Sequence, residues 1–270
     1  MSDTDYMLRM LRAMNLVREP VLRAVIRDLL LPAGSQGLDA GCGMGLQSLL
    51  LAEAVGPEGH VTGLDISPSL LATAEEVVDE AGLAERISFR EGDVRQLPFD
   101  DGTFDWVWSV DCVGYAPMEP LPLVRELARV VKPGGSVILL AWSSECLLPG
   151  HPLLEARLRA TVPGIAPFVR GKDPAVHYMR ALGWFRDAGL VESTARTFAG
   201  STYAPLSGDL YVALRALFEM RWSGVEAELS PEDLAAYRRL CLPDSPEFIL
   251  DHPDYCAFFT YSMFRGRVKG

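Results

Sequence analysis

The chain has 270 residues, 49% of them hydrophobic and 23% charged, so it can bury a sizeable core and is not a disordered polymer. Its 36 acidic and 25 basic residues give a formal net charge of −11, which repels phosphate backbones and argues against nucleic acid as the main partner. No apolar run suggests a membrane span, and five cysteines without a C-x-x-C pair fit a reduced, cytoplasmic protein.

The N-terminal segment mixes Asp3, Asp5, Arg9, Arg12 and Arg18 and lacks the apolar run of a secretory leader. Residues 6–30 carry apolar side chains at helical spacing, among them Tyr6, Met10, Met14, Val17, Val21 and Val25. Pro20 predicts a break or kink in that helix. Short apolar runs then alternate with helical stretches. Strands are expected at 36–40, 60–66, 87–90, 104–110 and 136–142, with helices at 46–55, 68–81 and 119–131. Ser67 and Pro68 supply a cap and a first-turn proline. Lys132-Pro133-Gly134-Gly135 reads as a tight turn ahead of the fifth strand. The alternation implies right-handed crossovers and a doubly wound, mostly parallel α/β sheet.

After Trp142 the rhythm breaks. Pro149, Pro152, Pro163, Pro167 and Pro174 mark an excursion with a short helix at 153–160. Helices are expected at 175–188, 205–222 and 231–241, and strands at 190–198 and 255–268. The expected division is N-terminal helices at 1–34 and a sheet core at 35–143. Lid or substrate insertions would occupy 144–174 and 199–254, and the rest of the core sheet 175–198 and 255–270.

The sharpest motif is Leu38-Asp39-Ala40-Gly41-Cys42-Gly43-Met44-Gly45, between the first strand and the first sheet helix. Glycines there let the backbone pass close to a ligand, and the helix start offers unpaired N–H groups. A dinucleotide fingerprint needs a third glycine or alanine where this chain has Leu46, which argues against NAD or FAD. Asp65 ends the second strand, where a carboxylate can accept from both ribose hydroxyls. Glu91-Gly92-Asp93-Val94 follows the third strand.

These motifs, in this order and spacing from Gly37 to Trp142, resemble the class I S-adenosylmethionine-dependent methyltransferases, and within them the small-molecule branch that includes the quinone-biosynthesis C-methyltransferases. The resemblance implies a seven-stranded Rossmann-like sheet with an antiparallel final strand and helical lid insertions. It implies S-adenosyl-L-methionine as cofactor and S-adenosyl-L-homocysteine as product. The loop of Asp39, Gly41, Cys42, Gly43 and Gly45 would wrap the methionine portion. Asp65 would hold the ribose with Ile66 beside it, and Asp93 and Val94 would meet the adenine. The acceptor would be a small molecule, either apolar or aromatic, methylated by in-line displacement.

The family has no universal catalytic residue, because a methyl on a sulfonium is already activated. Ser109 and Asp111 follow strand four at the carboxyl edge of the sheet, with Tyr115 further along that loop. Ser109 and Asp111 are read as cofactor contacts. Asp111, Tyr115, His151 and His177 are the candidates for catalysis, and Tyr6 and Met10 are candidates for covering the cofactor. Tyr203, Tyr211, Phe218, Met220 and Trp222 make residues 200–222 a candidate apolar pocket. No metal site is expected. The competing readings are an NAD(P)-dependent oxidoreductase and a non-catalytic cofactor-binding protein.

Overall fold

The computed structural model describes residues 3–113, 118–164 and 173–270, leaving aside the side chains of residues 3–7 and 10. The first helix, α1, runs Asp3–Leu29 as one helix through Pro20, so of the expected break or kink the break into two helices does not occur. Proline removes one internal hydrogen bond, but Val17, Val21, Leu22 and Val25 on either side are all buried, and that burial carries the helix across.

The sheet elements follow in order: β1 Gln36–Ala40, α2 Leu46–Val55, β2 His60–Asp65, α3 Pro68–Glu80, β3 Ile87–Glu91, β4 Phe104–Val110, α4 Pro120–Arg129 and β5 Val131–Cys146. Beyond them lie α5 Pro152–Arg159, α6 Ala181–Asp187, β6 Val191–Tyr203, α7 Gly208–Trp222, α8 Pro231–Cys241 and β7 Cys256–Arg267. The strand order is β3-β2-β1-β4-β5-β7-β6. The first five strands pair in parallel, whereas β7 runs antiparallel to β5 and β6. The expected doubly wound, mostly parallel seven-stranded sheet is therefore present. Gly134 N–H donates to Val268 O and Val268 N–H to Gly135 O, each at 2.9 Å, which ties β5 to the end of β7.

Two local expectations need correction. Lys132-Pro133-Gly134-Gly135 is not a turn outside the sheet; it lies within β5 as an irregularity. Phe104 faces Val131 and Trp106 faces Ser136, so a step of two residues in β4 is met by a step of five in β5. The segment 175–188 is not one helix but two 3-10 turns, Pro174–Val176 and Tyr178–Arg180, followed by α6. Asp173 and His177 each accept a backbone N–H two residues ahead, and these local bonds compete with a continuous helix.

The chain divides into two compact units. One comprises Leu22–Trp142, Asp173–Phe198 and Tyr261–Gly270. Its core includes Leu38, Leu64, Val107, Val124, Leu127, Val137, Trp184, Phe185 and Phe264. Trp106 and Trp108 on β4 are buried, and Gly37 on β1 makes room for the former: a Cβ there would lie 2.0 Å from its ring. The indole N–H groups donate to Ser35 Oγ and Gln47 Oε1, so neither tryptophan buries an unpaired donor.

The other unit comprises Met1–Val21, Ser143–Lys172 and Ala199–Thr260. Glu155 on α5 is buried and accepts the N–H groups of Leu147 and Leu148, at 2.7 and 3.2 Å. Arg157 pairs with Asp233 to tie α5 to α8, and Arg221 on α7 pairs with the buried Glu145 at 3.2 Å.

Candidate functional site

The order β3-β2-β1-β4 places the reversal of strand order between β1 and β4, and open α/β sheets bind ligands at the carboxyl ends of strands at that point. The glycine loop Gly41–Gly45 leaves β1 there. Gly41 and Cys42 both donate N–H to Leu64 O on β2, at 2.8 and 3.0 Å, and Gly45 N–H closes the turn onto Cys42 O at 3.0 Å. Gly43 has φ +55 and nothing lies within 4 Å of where a Cβ would stand, so its face of the loop is open. Gly45 has φ +73, and a Cβ there would lie 2.8 Å from Phe89 and 3.0 Å from Ala74, so this glycine serves packing. No side chain caps the start of α2.

Asp65 is bound into this loop. Its Oδ2 accepts Gly43 N–H at 2.8 Å and its Oδ1 accepts Ser67 N–H at 3.0 Å. Ser67 caps α3 through Leu70 N–H, as its place before Pro68 suggests. Ile66 beside Asp65 is 63% exposed, an apolar side chain held out at the sheet edge. Asp39 is buried at the end of β1, where Ser48 on α2 donates its hydroxyl at 2.7 Å. Burial pushes the Asp39 carboxyl up to about 7 despite that hydrogen bond, and Asp65 adds to the rise. Burial also holds the Cys42 thiol far above the usual thiol range and raises Cys112 to about 11, so neither is a thiolate nucleophile.

The third edge carries Asp93 and Val94. Hydrogen bonds from Arg95 hold the Asp93 carboxyl below its ordinary range, and Val94 is buried. The connection beyond is clamped by Arg129 on α4, which donates to Leu97 O, Phe99 O, Asp101 and Glu126. Glu126 in turn accepts Leu97 N–H at 2.7 Å. Neither Arg129 nor Ser48 was evident from the motifs. Their helical phase on faces toward the strands is the signal that would have pointed to them.

Ser109 spends its hydroxyl on Ala40 O at 2.8 Å, pinning β4 to the end of β1. Asp111 has φ +49, and its two carboxylate oxygens accept Trp142 N–H at 2.9 Å and Tyr261 O–H at 2.7 Å. Those bonds join the ends of β4, β5 and β7 and leave this carboxylate poorly placed to act as a base. His177 belongs to the same unit; its Nδ1 accepts Met179 N–H, its ring lies against Tyr178, and burial lowers its pKa. His151 belongs to the other unit and precedes α5 without a side-chain cap bond. Tyr115 lies outside the described residues, as do the side chains of Tyr6 and Met10. Among the described residues no group of three or more His, Cys, Asp or Glu could hold a metal ion.

Residues 38–135 match the family model described as a methyltransferase domain. That stretch of the chain is similar to a methyltransferase domain. The match spans the glycine loop, Asp65, Asp93 and the end of β4, and stops short of Trp142 and Tyr261, which bind Asp111. The chain is similar to a demethylmenaquinone methyltransferase of Bacillus cytotoxicus, 41% identical over 115 residues, covering 43% of this chain and 48% of that protein. A second such relative, from Anoxybacillus flavithermus, is 38% identical over 130 residues, covering 48% of this chain and 54% of that protein. The chain thus spans about half the length of the curated relatives it matches. A solved S-adenosylmethionine-dependent methyltransferase from Aquifex aeolicus superposes with a TM-score of 0.52 at 21% identity, over 70% of this chain and 89% of that one, which shows the shared fold.

Proposed function

We propose that this chain transfers a methyl group from S-adenosyl-L-methionine to a small-molecule acceptor with an apolar or aromatic body, in the cytoplasm. The observation that carries the reading is the join between the glycine loop and the second strand: Gly43, open on its ligand side, donates its N–H to Asp65 Oδ2. The residues fit the cofactor. The open face at Gly43 and the uncapped start of α2 suit its amino-acid tail. Asp65 retains acceptor capacity for ribose hydroxyls, and Ile66 and Val94 offer apolar surface for a base. Leu46 in place of the third glycine, and three acidic side chains around the loop, disfavour a pyrophosphate.

When bound, the cofactor supplies a methyl on a positively charged sulfur. The residues of this chain orient it, and orientation alone accounts for much of the rate of such a displacement. The Gly41–Gly45 backbone and Asp65 hold the cofactor. Ser109 and Asp111 keep β1, β4, β5 and β7 in register around it. No side chain is assigned as base, and none is required where the acceptor atom carries no proton to lose.

The second unit, taken by itself, holds a cavity of about 760 Å³ whose lining includes Val212, Phe218, Tyr237, Leu242 and Phe248 together with the charged Arg9, Arg215, Glu219 and Glu226. Of the five side chains singled out from sequence, Phe218 lines this cavity and Trp222 is buried against it in a ring pair at 4.8 Å. Tyr203 and Met220 face solvent. Incubating the protein with isotopically methyl-labelled cofactor and a small-molecule extract, read by mass spectrometry, is expected to yield a labelled product. Calorimetry is expected to show binding of S-adenosyl-L-homocysteine and none of NAD. Binding of NAD alone would overturn the cofactor assignment, and cofactor binding without any labelled product would favour the non-catalytic reading.

A further inference from the structure

The sheet ends in β3 on one side and β6 on the other, and the two edges are built differently. β3 has five residues, Arg90 and Glu91 among them, whereas β6 has thirteen, Val191–Tyr203. An open strand edge is a template for a further strand, and proteins blunt it with short strands, proline or lysine. β6 carries neither proline nor lysine. Three contacts fix its register on β7. Glu192 pairs with Arg267, the hydroxyls of Thr197 and Ser262 lie 3.0 Å apart, and Ala204 just beyond β6 donates its N–H to Tyr255 O at 2.9 Å. These place each pair directly opposite in one antiparallel ladder.

Along an antiparallel strand, residues whose N–H and C=O point at the partner alternate with residues whose groups point away. Ala204 points inward, so Ser193, Ala195, Thr197, Ala199 and Ser201 turn theirs to the free edge. Among the described residues none of these main-chain groups bonds to another element. These five residues read the same from either end, a palindrome about Thr197. An isologous contact requires that property, because each residue must fit its counterpart across the two-fold axis. A foreign strand needs no such symmetry.

From this edge we propose that the chain forms a two-fold homodimer in which β6 of one copy pairs antiparallel with β6 of a second copy about Thr197. In that register Ser193 meets Ser201, Ala195 meets Ala199 and Thr197 meets its own counterpart, all small side chains that let the strands approach. Arg196, which lies over the Phe198 ring of its own chain at 5.4 Å, falls opposite Phe198 of the second copy. Tyr203, 69% exposed, comes toward Val191, 41% exposed, of the second copy. The charges on β6, Glu192 and Arg196, face Thr202 and Phe198, so no like charges meet. The dimer does not depend on the methyltransfer reading.

The test is the mass in solution by sedimentation velocity over a concentration series, for the wild type and two double variants at the exposed Ala195 and Ala199. The wild type is expected at twice the 29.6 kDa chain mass. Ala195→Lys/Ala199→Lys sets lysine opposite lysine at both symmetry-related positions and is expected to raise the dissociation constant about tenfold over that of the next variant. Ala195→Lys/Ala199→Glu sets opposite charges there and is expected to remain a dimer. Both variants change the same exposed positions, so their difference reports the pairing, and circular dichroism melts check that both are folded. A wild type that stays monomeric throughout the series, or equal dissociation constants in the two variants, would overturn the proposal.

Discussion

Gly43 donates its backbone N–H to Asp65 Oδ2 at 2.8 Å, so the turn after β1 and the carboxylate at the end of β2 are one structural unit. The two residues are 22 positions apart in the chain, and the bond is made possible by the parallel register that places Ala40 beside Leu64. Asp65 thereby orders the loop, and in the proposed reading it meets the ligand with what acceptor capacity remains.

Asp65→Ala is accordingly expected to weaken S-adenosyl-L-homocysteine binding by about 1.5–3 kcal/mol, the range for a hydrogen bond to a charged group. It also frees Gly43 and Ser67 N–H groups that Asp65 now satisfies. Calorimetry on the folded variant measures the loss. An unchanged dissociation constant would remove Asp65 from the site.

Gly43 and Gly45 separate binding from folding. A side chain at Gly43 meets open space, whereas one at Gly45 runs into Phe89 and Ala74. Gly43→Val is expected to keep its fold, losing about 1–3 kcal/mol to its positive φ, and to lose cofactor affinity. Gly45→Val is expected to lose stability first. Thermal melts and calorimetry on both variants check this, and a Gly43→Val protein that binds normally would refute the loop assignment.

The loop was legible in the sequence because its information is local: glycines at 41, 43 and 45 between a strand and a helix, and an acid where the next strand ends. The partners that complete it were not. Ser48 meets Asp39, and Tyr261 meets Asp111, through packing between elements, the latter across 150 residues of chain. Pro20 misled for a related reason: its local penalty is real, but the burial of Val21, Leu22 and Val25 outweighs it. The proline–glycine stretch at 132–135 carries a turn signal that the ladder between β4 and β5 absorbs as an irregular stretch. The second unit was the least legible, since its helices lack the strand–helix alternation that made the first readable.

Tyr261→Phe tests whether the Asp111 carboxylate is mainly a joint between strands. Tyr261 is fully buried and donates to Asp111 at 2.7 Å, and its ring stands edge-on to Trp142 at 5.6 Å. Removing the hydroxyl is expected to cost about 1.5–3 kcal/mol of stability, read by denaturant unfolding. A loss below about 0.5 kcal/mol would show that the left-handed backbone at Asp111 is held by other contacts.

Asp39 gives the fold itself a pH dependence of definite sign. Burial raises its carboxyl from an ordinary 3.8 to about 7, so the folded chain keeps a proton there that the unfolded chain has already released. The stability this contributes is complete below about pH 4, declines as the pH rises, and is gone once it passes about 7. Asp93 and Glu126, held low by hydrogen bonds from Arg95 and Arg129, act in the opposite sense, their contribution being lost on acidification. Both are unchanged in Asp39→Asn and cancel when the variant is compared with the wild type. The melting temperature of Asp39→Asn minus that of the wild type is therefore expected to climb between pH 4 and 7 and to level off above. Melting curves that keep a constant separation across that interval would show that Asp39 titrates elsewhere.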